Sequence, residues 1–383
     1  MGPDVTEKIL FVTNDFGPRA GGIESFVIGL ISRLPRSSTT VYTSAQGDSG
    51  DYDASWLTDY GVRVIRDRAR VLLPTPRITR KVAHLVESEK FEIVVFGAAA
   101  PLALMAHSLR RAGARRIVAL THGHEVWWAK LFPFTLAMRR IGSMTDALTY
   151  LGEYTRSAIA SVLTPHAAAA MVKIAPGIDT EHFAPMDSSA LRESLGLTDK
   201  KIIVSVGRLV HRKGQDRLIQ AMVAIVNEIP QAHLLLVGEG PYEAHLRDLV
   251  RKYSLNDHVT FIGRIQYADL PAYMCVGEIF VMPARSRFFG LEVEGLGIVY
   301  LEASACGLPV IAGRSGGAPD AVIEGTTGLV IDGTDNASIA AAVIDLLSHP
   351  QRSAQMGQAG RDWILEKWRW QIWAERFVEL IDK

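Results

Sequence analysis

Apolar residues along this chain gather in short unbroken runs instead of alternating with polar ones. In the first half the runs are KILFVT (8–13), TTVYTS (39–44), VRVI (62–65), EIVVF (92–96), RIVAL (116–120) and ALTYL (147–151). In the second half they are KIIVSVG (201–207), AHLLLVG (232–238), HVTFIG (258–263), EIFVMP (278–283), LPVIAG (308–313) and TGLVID (327–332). Between them the period changes: Ile23, Phe26, Val27, Leu30, Ile31 and Leu34 share one stripe of a helix predicted over 22–34. Continuous apolar strands alternating with amphipathic helices predict parallel sheets covered on both faces. The stretch 175–189, rich in Pro, Gly and polar residues, reads as a seam. The fold expected is α/β, with two Rossmann-like domains facing across a cleft. The first covers 1–184 and the second 185–367, with a C-terminal helix, 368–383, crossing back to the first. That last segment carries Trp363, Trp368, Trp370 and Trp373, four of the seven tryptophans, and is read as core packing rather than membrane contact.

Composition narrows the function classes. At 383 residues, 48% hydrophobic and 21% charged, the chain is long enough for two cores and is globular in type. Lys plus Arg equals Asp plus Glu at 41 each, so no overall field recruits nucleic acid or a membrane. Cys275 and Cys306 form no CxxC and read as reduced, small-core residues. The first apolar run is too short for a signal peptide, and no segment reaches the ~18 apolar residues of a membrane span. A cytosolic protein is expected, with contact to a membrane surface left open.

Ligands of open α/β sheets bind at the carboxyl ends of strands. After the first strand, Gly21 and Gly22 precede a helix, where backbone can approach a ligand or simply turn. After the fifth come His122 and His124, without the further ligands of a zinc site. His122 there reads either as a donor to substrate hydroxyls or as a satisfied loop histidine. Arg208 and Lys213 follow the first strand of the second half, two cations suited to a diphosphate, and Arg212 reads as their solvated neighbour. Glu294 and Glu302, eight apart, flank a predicted helix start where the amides of Leu296, Gly297, Ile298 and Val299 suit a phosphate. Carboxylates accept hydrogen bonds and donate none, which favours sugar hydroxyls. The DYD of Asp51–Asp53, placed in a polar loop, is set aside as a metal site, and Glu292 has no assigned role.

Taken in order, the Gly-Gly loop, His122, Arg208 with Lys213, GEGP (238–241) and the E-x7-E of Glu294 and Glu302 resemble the retaining, nucleotide-sugar-dependent glycosyltransferases of the GT-B fold. In finer detail GPRAGGIESF, HGHEVWWA and FFGLEVEGLGIVYLEASACGLPVIAG look like the actinobacterial phosphatidylinositol-mannoside mannosyltransferases. Many members have E-G-F-G-L where this chain has E-G-L-G-I, so Leu296 replaces an aromatic. The resemblance implies a second mannose moved from GDP-mannose, in α-1,6 linkage, with front-face departure and attack. It implies Arg208 and Lys213 on the donor diphosphate, Glu294 on the transferred sugar and Glu302 on the ribose. Arg264 and Ile265 of GRIQ would line the base pocket, His122 would contact the sugar, and Gly21 and Gly22 would lie near the diphosphate. No metal is required in that scheme, because the two cations and the helix start replace it.

A lipid acceptor asks for a membrane-facing patch. Residues 63–81 hold Arg63, Arg66, Arg68, Arg70, Arg77, Arg80 and Lys81 against one acid, Asp67. Such residues meet anionic headgroups at about 1 kcal/mol each. Trp127, Trp128, Leu131, Phe132 and Phe134 add an interfacial composition. A solvated basic face beside an internal aromatic cluster explains both equally. Implied placement is peripheral, on the inner face of the cell membrane. Rival readings are a UDP-sugar transferase with another acceptor, a sugar-nucleotide epimerase of the same fold, and a sugar-nucleotide binding protein.

Overall fold

The computed structural model describes residues 7–18, 21–36 and 38–383. Every apolar run becomes a strand, because two-sided burial of a parallel sheet demands it. The first unit comprises residues up to Gly177 together with Trp370–Lys383. Its strands are β1 (Ile9–Thr13), β2 (Thr39–Thr43), β3 (Arg63–Arg66), β4 (Ile93–Phe96), β5 (Arg116–Ala119), β6 (Ala147–Tyr150) and β7 (Val172–Lys173). They lie in the order 3-2-1-4-5-6-7, all parallel. The pattern of apolar residues does not show β7, since its two residues are only half-buried.

The second unit is Ile178–Arg369. Its strands are β8 (Lys201–Val206), β9 (Ala232–Val237), β10 (Val259–Gly263), β11 (Ile279–Met282), β12 (Val310–Gly313) and β13 (Gly328–Ile331). Their order is β10-β9-β8-β11-β12-β13, again all parallel. Each sheet reverses its winding once, between β1 and β4 and between β8 and β11. Those switch points are where open α/β sheets leave a crevice for ligand.

Several boundaries move from the sequence reading. The seam falls at Gly177 and Ile178, and again at Arg369 and Trp370, rather than at 184 and 367. Residues 178–183 pack with the second unit: Arg361 donates to the carbonyls of Phe183 and Thr180, and the Ile178 N–H donates to Trp368 O. The helix predicted over 22–34 ends at Ile31. Asp51 and Asp53 are in the first turn of helix Gly50–Tyr60, not in a loop, and Arg66 holds Asp53 at 2.7 Å.

The tryptophan-rich tail is two helices, Pro350–Lys367 and Trp370–Ile381, broken at Trp368 and Arg369. Trp363 meets Trp368 edge-on in the second unit. Trp370 stacks on Phe26 under the Arg33 guanidinium in the first. A Cβ on Gly177 would lie 2.3 Å from the Trp370 Cα, so only glycine permits that approach. Phe377 and Trp373 complete a buried face, which makes this tail core.

Candidate functional site

In the second unit the candidate residues follow β8 and β11, on either side of the switch point. Past β8 the chain turns tightly at His211–Lys213 and enters helix Gln215–Glu228 through Gly214, with φ +78°. A Cβ on Gly214 would sit 2.0 Å from the Pro283 carbonyl, so glycine lets this turn press against the end of β11. That brings Lys213 Nζ to 2.9 Å from Glu294 Oε2, with both side chains nearly buried.

Arg212 corrects the sequence reading: it is not solvated but donates to the same Glu294 oxygen, and its Nε lies 3.8 Å from Glu292. Both residues reach inward because the turn is a tight 3-10 one. Burial raises the Glu294 pKa, but Lys213 and Arg212 outweigh it and hold the carboxyl below its ordinary value. Glu292, unassigned from sequence, pairs with Arg287 at 3.1 Å and closes the loop across the Arg287–Glu292 bridge.

Sequence reasoning missed a brace beneath this cluster. Arg285 and Asp216, each nine-tenths buried, pair at 2.8 Å. The Arg285 N–H donates to Arg212 O at 2.8 Å, tying β11's exit to the cationic turn. The signal available was faint: a charge just after each of two buried strands or helix starts.

Helix Ile298–Ala305 begins at Gly297, with φ +76°, where a Cβ would strike the Tyr300 ring at 2.5 Å. Its first N–H groups, with those of Leu296 and Gly297 before it, are of the kind that suits anions. Glu302 is buried one turn in and has no hydrogen-bond partner among the described residues. Burial pushes its carboxyl up to about 7, opposed by Lys213. Lys213 thus stands electrostatically between the two glutamates.

Arg208 is exposed, and among the described residues its guanidinium has no partner. It lines a cavity of about 660 Å³ with Gly238, Gly240, Pro241 and Arg264. GEGP and the GRIQ arginine therefore border one space at the carboxyl ends of β8, β9 and β10. The arrangement supplies free cation, amides and two acids: a site for a diphosphate bearing hydroxylated groups.

In the first unit His122 is buried at the end of β5. Its Nε2 bonds the Gly97 carbonyl, so Nε2 carries hydrogen, and its N–H donates to Glu125 Oε2 at 2.9 Å. Burial lowers its pKa, against the raising effect of Glu125, so the ring is neutral near pH 7. Glu125, fully buried, is a second residue the sequence reading passed over. At Gly21 a Cβ would collide with the Glu24 carboxylate, whereas Gly22 faces open space. Among the described residues no group of three or more His, Cys, Asp or Glu is placed to hold a metal ion.

The basic segment is more internally paired than its composition suggests. Arg77 and Lys81, each half exposed, both bind buried Asp67 at 2.7 and 2.9 Å, and Tyr42 donates to the same carboxylate. Arg80 caps back onto Pro76 O, and Arg63 pairs with Glu89. The Arg77 hydrogen bond, against burial, holds the Asp67 carboxyl far below its ordinary value. A depressed carboxylate adds stability above its unfolded pKa and loses it as pH falls toward the folded one. Asp67→Asn should therefore cost about 1–2 kcal/mol at pH 7, discounted because both cations are half in water. The gap from the parent should narrow below pH 4 (~the unfolded carboxylate pKa), which urea titration at several pH values will read. Trp127 and Trp128 are half-buried against Phe134, while Leu131, Phe132 and Leu136 are exposed, Phe132 by 79%.

Comparison with known proteins places the chain. Residues 20–182 match the model of Glycosyltransferase Family 4, and residues 187–363 that of Glycosyl transferases group 1. The chain is 46% identical, over 97% of its length and 98% of the relative's, to a GDP-mannose-dependent alpha-(1-6)-phosphatidylinositol monomannoside mannosyltransferase of Mycolicibacterium smegmatis. It is 43% identical, over 98% of each, to a GDP-mannose-dependent monoacylated alpha-(1-6)-phosphatidylinositol monomannoside mannosyltransferase of Corynebacterium glutamicum. In fold it matches Anabaena HepE in complex with UDP, at a TM-score of 0.82 and 21% identity, over 98% of this chain and 99% of that one. With relatives this similar along its whole length, the chain belongs to the group 1 glycosyl transferases.

Proposed function

We propose that this protein is a retaining mannosyltransferase that moves mannose from GDP-mannose onto a phosphatidylinositol monomannoside through an α-1,6 bond. The observation that carries this reading is full-length identity of 43–46% to enzymes of that name. The second unit supplies a matching donor site: cations for the diphosphate, Arg264 and Ile265 beside the base cavity, and Glu302 for ribose hydroxyls. Leu296, Gly297, Ile298 and Val299 offer amides to the phosphate. Glu294, held ionised by Lys213 and Arg212, accepts from hydroxyls of the transferred sugar.

As the glycosidic bond breaks, negative charge gathers on the departing diphosphate, and Arg208 and Lys213 stabilise it there. The acceptor hydroxyl attacks from the face the diphosphate leaves, passing its proton to a phosphate oxygen, which retains configuration. In the first unit Gly21 and Gly22 admit the diphosphate and acceptor closely, and neutral His122 hydrogen-bonds a sugar hydroxyl. Fixed cations and amides do the work of a metal ion, so transfer proceeds with chelator present. Exposed Leu131, Phe132 and Leu136 and the half-exposed Arg77, Arg80 and Lys81 support peripheral contact with the cytoplasmic membrane face. Trp127 and Trp128 back the apolar part of that patch.

Titration calorimetry with GDP-mannose, UDP-glucose and UDP-N-acetylglucosamine should rank GDP-mannose first. Tighter binding of either UDP-sugar would turn the reading to the rival transferase. Arg208→Ala should lower kcat at least tenfold, about 1.5–3 kcal/mol for a charge-assisted bond, with unfolding stability unmoved. An unchanged rate would remove Arg208 from the mechanism.

A further inference from the structure

Cys275 and Cys306 are far apart in sequence and adjacent in the fold. Cys275 ends helix Leu270–Cys275, just before β11, and Cys306 ends helix Ile298–Ala305, just before β12. β11 and β12 are parallel neighbours with Phe280 opposite Val310, so the residues leading into them meet at the amino edge of the sheet. The two thiols lie within hydrogen-bonding reach of each other. This departs from the sequence reading of two unrelated core cysteines. The pair is asymmetric: Cys275 is partly exposed, whereas Cys306 is 5% exposed.

The surroundings hold both ends in place. Cys275 Sγ approaches Ala184 O at 3.5 Å, and Ser188 Oγ donates to Cys275 O at 2.7 Å. Arg361 donates to Ala305 O at 2.6 Å, beside Cys306. The Cys306 N–H donates to Glu302 O at 3.1 Å, so any displacement of Cys306 acts on the turn that carries Glu302. Between Gly297 and Cys306 the helix is about 12 Å long, a single rigid element from the donor site to the thiol pair.

We propose that Cys275 and Cys306 are a reversible dithiol–disulfide modification site that takes a low-molecular-weight disulfide as oxidant and weakens donor binding when closed. The second half of the statement rests on the donor reading above; the first does not. The Cys275 thiolate attacks one sulfur of the oxidant, forming a mixed disulfide and releasing one thiolate. Cys306 then loses its proton and attacks Cys275 Sγ, forming the internal disulfide and releasing the second thiolate. Two protein thiols are oxidised, one external disulfide is reduced, and the two protons go to the released thiolates. Asymmetry suits this order. The hydrogen bond from Cys306, against burial, brings Cys275 down to about 7, and its exposure admits the oxidant. An attacking thiol is most effective near ambient pH. Cys306, pushed up by that same hydrogen bond and by burial, waits as the resolving thiol. Transient pairs of this kind act as redox sensors in reducing compartments.

The test treats the full chain with excess cystine, then counts thiols after denaturation and maps cross-linked peptides. GDP-mannose calorimetry follows on reduced, oxidised and dithiothreitol-recovered protein, with Cys275→Ala as the control. Both thiols should vanish together, with a Cys275–Cys306 cross-linked peptide. The GDP-mannose Kd should rise about fivefold and recover on reduction, while Cys275→Ala is unmoved by cystine. A cysteine adduct persisting on Cys275, or retention of both thiols, overturns the dithiol site. A cross-link with unchanged Kd overturns the coupling. If the reduced protein binds no GDP-mannose, the donor reading and the coupling fall together, and the peptide map still decides the dithiol.

Discussion

Replacing Lys213 by alanine should lower turnover by about a hundred- to a thousandfold, the scale of a lost transition-state donor. Lys213 is nearly buried, lies 2.9 Å from Glu294, and opposes the raised pKa of Glu302. Its removal withdraws a cation from the departing diphosphate and also leaves buried Glu294 to Arg212 alone. A stability loss of about 2 kcal/mol should therefore accompany the rate loss, below the usual cost of breaking a buried pair because Arg212 remains. Arg208 is the contrast, exposed and unpaired among the described residues, so its replacement touches rate and not folding. Measuring kcat beside urea unfolding separates the two cations. Lys213→Ala losing stability with full turnover would make the lysine a structural counter-ion only.

Glu302→Gln should stabilise the protein at pH 8 by about 2–3 kcal/mol while weakening GDP-mannose binding about tenfold. The sign follows from burial. The Glu302 carboxyl is pushed from 4.5 up to about 7 in the fold, so its ionised form is disfavoured there. Stability from this group is fully present below its unfolded pKa and is lost as pH rises to about 7. The gain in the variant should thus vanish near pH 4.5 and grow to its full value above 7. Unfolding curves across that range, with donor calorimetry at the upper end, read both effects. A variant no more stable at pH 8 than the parent would mean that the carboxylate is better solvated than its burial implies. A buried acid retained against folding is the expected mark of a group kept for ligand.

The sheets were legible in the chain because parallel strands buried on both faces leave nothing but apolar residues in a row. β7 escaped because two half-buried residues, Val172 and Lys173, make no such run. Glu294 and Glu302 were legible as acids among apolar neighbours, and Arg208 and Lys213 as cations after a buried strand. What the order of residues conceals is pairing across elements. Arg212 looks like any surface arginine until the 3-10 turn at His211–Lys213 points it at Glu294. Arg285 meets Asp216 only because β11 lies beside β8. The arginines of 63–81 seemed unopposed because Asp53 and Glu89, which bind Arg66 and Arg63, lie outside that segment. Cys275 and Cys306 meet for the same reason, through adjacent parallel strands.

Transfer itself is the most direct measure of the central claim. Purified protein should be incubated with GDP-mannose and phosphatidylinositol monomannoside in vesicles, with chelator present, and the lipid analysed by mass and by linkage. The account predicts a lipid heavier by one hexose, joined as an α-1,6 mannoside, and no product from UDP-glucose. Sugar transferred from UDP-glucose instead, or GDP-mannose consumed without a mannosylated lipid, would contradict it.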